Sequence, residues 1–314
     1  MGRQQPGAIC ESAQQVVAAA LHRRRAGKTG ECRKGRAPTM IFVQGPSVRK
    51  WEFLLSRHHP GGWEPVLSGE SGAWVFRSAD GSRYAKCVLA EQEDLLAQER
   101  NRVEWLSVRG IPGPEVLAWS SGAGGACLVT SAVRGVPADS VSAQDLRRAW
   151  PSIADGVRGL HAVPAKDCPF SRGLAQMFAI AQDVVARDKV DPEFLPADQR
   201  RTPPAELLAR LAGQVDRRLV QEAGDTVVCH GDLCLPNIIL DPVALNFAGF
   251  IDLGRLGRAD PYADIALLLA NARESWDDEN HAIAADDTFA RTYGITLDTD
   301  RQRFYLHLDP LTWG

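Results

Sequence analysis

The chain has 314 residues, enough for about two domains and for a substantial core without disulfide or metal staples. Hydrophobic residues make up 45% and charged residues 24%, which excludes collagen-like, coiled-coil and wholly disordered chains. The net charge of −3 is unevenly divided: residues 1–40 carry +6 and residues 41–314 carry −9, a body unsuited to nucleic acid as its main partner and suited to a cationic substrate.

No run approaches 18 uninterrupted apolar residues, so no membrane-spanning helix is expected. The apolar run 16–21 is too short for a secretory signal, and its basic cluster follows it instead of preceding it. The cysteines form no C-x-x-C pair and read as free thiols in a reducing cytoplasm. Residues 1–56 read as an extra N-terminal segment, either disordered or lying upstream of the true start, with Met40 as one candidate start.

After Pro60 the pattern is regular. Two short apolar runs, 73–77 and 83–88, are joined through Ala79-Asp80-Gly81, a hairpin signal. Helical spacing follows over 91–109, then strands over 115–119 and 126–131 that turn at the glycines between them. Beyond Arg134 the chain becomes helical, with amphipathic stretches at 143–161, 172–187 and 205–222. Short strands are expected at 226–229, 238–240 and 247–251, and helices at 263–272 and 289–293. The expectation is an α+β protein of two lobes: 57–131, small and β-rich, and 132–314, larger and helical.

The most informative stretch is His230-Gly231-Asp232-Leu233-Cys234-Leu235-Pro236-Asn237, set between two strands and followed by Ile251-Asp252-Leu253-Gly254 at the end of another. Two carboxylates and an amide on loops make an oxygen-rich set of the Mg²⁺ type, in which phosphate oxygens complete the shell. One of the aspartates is also available to orient a substrate hydroxyl. The spacing resembles that of protein kinases, where a catalytic-loop Asp is followed five residues later by an Asn and then by a D-F-G Asp. Gly231 stands where those enzymes carry Arg, and H-G-D-x-x-x-x-N is the signature of aminoglycoside phosphotransferases.

That resemblance assigns further parts. Lys86, on a predicted strand, matches the lysine that contacts the α/β-phosphates and pairs with a helix glutamate. Glu99 is the preferred partner, with Glu91 and Glu93 as rivals. Ser71 and Gly72, in the loop Ser68-Gly69-Glu70-Ser71-Gly72, match phosphate donors, and the Ser131 C=O and Val133 N–H match the adenine contacts. From about Trp63 to Gly314 the chain resembles the aminoglycoside O-phosphotransferase family, nearest to its streptomycin 3''-phosphotransferase branch. The segments that carry this include Ala259-Asp260-Pro261-Tyr262-Ala263-Asp264 and Leu308-Asp309-Pro310-Leu311-Thr312-Trp313-Gly314.

The resemblance implies a bilobal, protein-kinase-like fold and MgATP-dependent transfer of the γ-phosphoryl to a hydroxyl of a small cationic aminoglycoside. Asp232 would be the catalytic residue, and Asn237 and Asp252 would hold Mg²⁺. Because the antibiotic is cationic, Asp309 is the best single candidate for binding it, with Trp313 as an apolar or stacking wall. Asp264 and Asp260 are expected to support the fold, His230 to shape its loop, and His161 to pack or cap. Two alternatives remain: a kinase of the same scaffold with another acceptor, or a nucleotide-binding pseudokinase. No nucleic acid or membrane partner is expected.

Overall fold

The structure, a computed structural model, describes residues 51, 55, 61–66, 73–196 and 198–314. The chain divides into two compact units. One comprises the described residues up to Gly135 together with Ala248–Gly254; the other comprises Val136–Phe247 and Arg255–Gly314.

The first unit is built on an antiparallel sheet of five strands in the order β1-β2-β3-β5-β4. These are β1 (Trp63–Val66), β2 (Trp74–Ser78), β3 (Arg83–Val88), β4 (Val116–Gly122) and β5 (Gly125–Ser131); helix α1 (Glu93–Ser107) connects β3 to β4. The β2–β3 hairpin turns where the sequence suggests, with Asp80 Oδ1 accepting from Ser82 N at 3.0 Å and from Ser78 Oγ at 2.7 Å. Side chains alternate along β3. Ala85 and Cys87 enter a core with Trp51, Leu55, Phe76, Cys127 and Val129. Leu128, the partner of Lys86 across β5, packs with Leu96 of α1, so Lys86 lies on the face that α1 covers.

The second unit holds β6 (Val136–Pro137), α2 (Ala143–His161), α3 (Leu174–Ala186), α4 (Pro204–Ala212), α5 (Val215–Asp225), β7 (Val227–Cys229) and β8 (Ile238–Leu240). Strand β9 (Phe247–Phe250) leads from this unit into the first. After it come β10 (Gly257–Ala259), α6 (Tyr262–Ala272), α7 (Glu279–Tyr293) and α8 (Thr299–Leu308). Leu174, Met177, Leu207, Leu211, Tyr262, Phe304 and Leu308 belong to one shared core of this unit. Strands β7 and β10 pair antiparallel, Cys229 opposite Gly257, and β6 pairs with β8. Among the described residues no helix is long and apolar enough to cross a membrane.

Several elements differ from the sequence reading. The stretch 205–222 is two helices, because Gly213 ends α4 and Gln214 begins a new cap. Helix α7 starts ten residues earlier than 289: Asp278 caps it by accepting from His281 N at 2.9 Å, and the acidic run behind the cap hides its apolar stripe. Helix α8, unassigned from sequence, is capped by Asp298. Strand β1 is not marked by the sequence pattern either; Pro65 blurs it and is tolerated because the strand lies at the sheet edge. The expected segment 1–56, apart from Trp51 and Leu55, lies outside the described residues.

Candidate active site

The first unit brings together Lys86, Glu99 and Asp252. Lys86 Nζ lies 2.8 Å from Glu99 Oε2 and 3.2 Å from Asp252 Oδ1. Of the three candidate glutamates, Glu99 is the one that reaches the lysine, because it sits two turns into α1 on the side facing β3. Burial works against the Lys86 ammonium, but the Glu99 and Asp252 carboxylates outweigh it and leave its pKa raised, so the group stays a cation. Asp252 follows β9 with φ of 60°, in the left-handed region, where Asp is one of the tolerated residues. Its side chain is 45% exposed, against 13% for Glu99, so the pair divides into a buried anchor and an accessible carboxylate.

Ser71 and Gly72 lie outside the described residues. Ser131 ends β5, where its hydroxyl accepts from Glu115 N at 2.8 Å and its own N–H donates to Glu115 O at 2.9 Å. The Val133 N–H two residues later makes no hydrogen bond among the described residues.

The second unit holds the loop between β7 and β8. Asp232 and Asn237 are drawn together: Asn237 Nδ2 donates to Asp232 O at 2.9 Å and to Asp232 Oδ2 at 3.3 Å. The Asp232 N–H donates to His230 Nδ1 at 3.3 Å, which shapes the loop as expected of that histidine. Beneath it the fully buried Asp264 accepts from His230 N at 2.6 Å and Gly231 N at 2.8 Å, and lies 3.1 Å from His161 Nε2. Burial tends to raise the Asp264 pKa, but His161, His230 and the backbone donors hold it below the ordinary value. His161 Nδ1 is 2.7 Å from the Tyr293 hydroxyl, and Cys229 Sγ donates to Asp260 O at 3.3 Å. His161, Cys229 and Asp264 offer ligand atoms within 4.8 Å of one another, yet each is already engaged in this hydrogen-bonded network.

Asp309 and Trp313 lie at the C-terminal end of the same unit. Trp313 Nε1 donates to Asp309 Oδ2 at 3.1 Å. Asp309 Oδ1 lies 3.6 Å from Arg172 and 3.9 Å from Arg255, and the Arg255 guanidinium stacks 3.4 Å from the Trp313 ring centroid. Asp260, also fully buried, is bound by Arg301 Nε at 2.7 Å.

Sequence reasoning missed Arg172, Arg255, Asn271 and Tyr293. Asn271 Oδ1 accepts from Leu235 N at 2.8 Å and so fixes the turn between Asp232 and Asn237. None of the four falls in a chemical motif of its own, and only Arg255 adjoins one.

The fold and these groups define a phosphotransferase with kinase-like parts. The chain belongs to the phosphotransferase enzyme family, whose sequence model matches residues 33–306, and it has the α+β, kinase-like fold of that family. It is 64% identical over 254 residues to the streptomycin 3''-kinase of Streptomyces griseus, covering 81% of this chain and 93% of that one. It is 38% identical to an aminoglycoside 3'-phosphotransferase of Streptomyces fradiae over 80% of this chain and 95% of the relative. The solved structure of aminoglycoside phosphotransferase APH(3'')-Id from Streptomyces rimosus superposes with a TM-score of 0.82 at 63% identity, covering 86% of this chain and 99% of that one. A second structure of that protein, in complex with ADP and streptomycin, gives a TM-score of 0.81 at 62% identity over 85% of this chain and 99% of that one.

Proposed function

We propose that this protein transfers the γ-phosphoryl group of ATP to the 3''-hydroxyl of streptomycin and thereby confers resistance to it. One observation carries the reading: a chain 64% identical along 93% of a streptomycin 3''-kinase has Lys86 seated on Glu99 and Asn237 bound to Asp232.

In this reading residues 57–131 form the nucleotide-binding lobe and 132–314 carry catalysis and acceptor binding, with Ala248–Gly254 delivering Asp252 to the first. Lys86 neutralises the α/β-phosphates and Glu99 holds it there. Ser71 and Gly72 donate to phosphate, and Ser131 C=O and Val133 N–H read the adenine; the unengaged Val133 N–H supports that role. The Asp232 carboxylate accepts the acceptor proton as the hydroxyl oxygen bonds to the γ-phosphorus and the bond to the β-phosphate oxygen breaks, releasing ADP. Phosphoryl transfer asks mainly for positioning and charge neutralisation, and these side chains supply both.

Mg²⁺ fits the residues on donor chemistry. Asp252 offers an accessible carboxylate. Asn237 directs its amide nitrogen to Asp232, which leaves its oxygen unengaged among the described residues. Hard oxygen donors of this kind suit Mg²⁺. When bound, the ion would supply charge neutralisation of the β/γ-phosphates. Asp309 and Trp313 recognise the cationic acceptor, which is a small molecule and neither a nucleic acid nor a membrane. The protein then works in the cytoplasm, where ATP is available. The test is purified protein with ATP, Mg²⁺ and an aminoglycoside panel, read by mass spectrometry. Streptomycin should gain one phosphoryl group; product with another compound and none with streptomycin would overturn the acceptor.

A further inference from the structure

Arg172 precedes α3 and has no part in the reading above. Its residue is 7% exposed, so a full positive charge sits inside the second unit. A buried guanidinium is stable only when it is paired and its donors are used. Arg301, elsewhere in the same unit, is held by two short carboxylate hydrogen bonds, to Asp260 at 2.7 Å and to Asp225 at 2.8 Å. Arg172 has no carboxylate as close. Its nearest carboxylate is Asp309, at 3.6 Å, and its Nε has no hydrogen-bond partner.

The stem of the side chain lies against the catalytic loop. A Cβ placed on Gly231 would come within 2.6 Å of Arg172 Cδ and 2.8 Å of Nε, so the loop backbone rests directly on this arginine. Its backbone is fixed, since Arg172 N donates to Arg258 O at 2.9 Å next to β10. One residue therefore lies against Gly231, the neighbour of Asp232, and faces Asp309, which in turn accepts from Trp313.

We infer that Arg172 is a positioning residue for acceptor binding, setting Asp309 and Trp313 at a fixed place relative to the loop that carries Asp232. The inference rests on the reading of Asp309 and Trp313 as acceptor-recognising groups. A purely structural bridge would be short and directly hydrogen-bonded, as the Arg301 pairs with Asp260 and Asp225 are. The long Arg172–Asp309 contact holds the carboxylate by charge while leaving it free to accept a donor from the acceptor. Misplacement by about 1 Å near a reacting centre can cost on the order of 100-fold, so a lost charge here acts through geometry.

The test is steady-state kinetics on wild type, R172K, R172Q, D309N and R172Q/D309N, varying streptomycin and MgATP separately, with melting temperatures alongside. Arg172→Gln should raise the streptomycin KM about ten-fold and leave the ATP KM within about two-fold. Arg172→Lys should recover much of the loss, since a point charge suffices at this distance. The double variant should be no worse than the poorer single one, because the two residues act as a unit. Equal rises in both KM values, a loss that tracks melting temperature alone, or multiplicative effects in the double variant would overturn the inference. A wild-type protein that leaves streptomycin unmodified would instead overturn the proposed function, which keeps the two failures apart.

Discussion

Asp264 holds Gly231 from below: its carboxylate accepts the Gly231 N–H at 2.8 Å while also accepting that of His230 at 2.6 Å. Two consecutive backbone donors are thus tied to one fully buried anion on α6, and the next residue is Asp232. The backbone of the loop that carries Asp232 is therefore held by a residue more than thirty positions later in the chain.

Replacing Asp264 by Asn should cost both stability and turnover, since one acceptor oxygen becomes a donor facing a backbone N–H. The folded carboxyl titrates below its ordinary value of 3.8. The stabilisation it provides is thus complete above that value and is lost as the pH falls through the depressed one. The melting-temperature gap between wild type and D264N should be widest at neutral pH and close as the pH drops below 3.8. A scanning fluorimetry series across acid pH reads it directly.

Gly231 has φ of 82°, and a Cβ there would sit 2.2 Å from the carbonyl oxygen of Arg255. That obstacle is backbone and cannot rotate away. Gly231→Ala should lose on the order of 1–3 kcal/mol from its conformation alone, with the clash in addition. Chemical denaturation should show a lower midpoint, and turnover should fall with it.

Lys86 and Glu99 should respond as a pair. Lys86→Met should lower kcat/KM for ATP by about 100-fold or more, as expected when a phosphate-neutralising charge is lost. Glu99→Gln should give a smaller loss in the same parameter, because the lysine keeps its charge and loses its anchor. Glu91→Gln, on a residue exposed outside α1, should change neither value. Initial rates at varied ATP separate these outcomes.

Much of this was legible in the sequence, and the exceptions have physical causes. The 230–237 loop announces itself because phosphoryl transfer needs specific oxygen donors at fixed spacing, and Lys86 stands out because the body has so few lysines. Helix α2 is readable at both ends, having a Ser142 cap that accepts from Asp145 N at 3.1 Å and a strong apolar face. The first ten residues of α7 and the whole of α8 are hidden because their exposed faces are densely charged. Arg172, Asn271 and Tyr293 were invisible because their roles depend on contacts from distant segments, and an arginine, an asparagine or a tyrosine on a helix or in a loop has no pattern that marks it as a support.

Asp232→Ala should reduce kcat by about 10²–10⁴-fold, the usual contribution of a positioned proton acceptor, while ADP binding measured by calorimetry stays close to wild type. Parallel loss of ADP affinity would mean that the carboxylate serves the nucleotide instead of the acceptor hydroxyl.

The most direct measurement is phosphorus–proton correlation spectroscopy on streptomycin after incubation with purified protein and MgATP. The phosphate should couple to the proton on carbon 3'' of the N-methylglucosamine ring in the wild-type reaction, and no such product should form with D232A. A phosphate on any other hydroxyl, or an undiminished product from D232A, would contradict the assignment of Asp232 and the 3''-hydroxyl as the reacting pair.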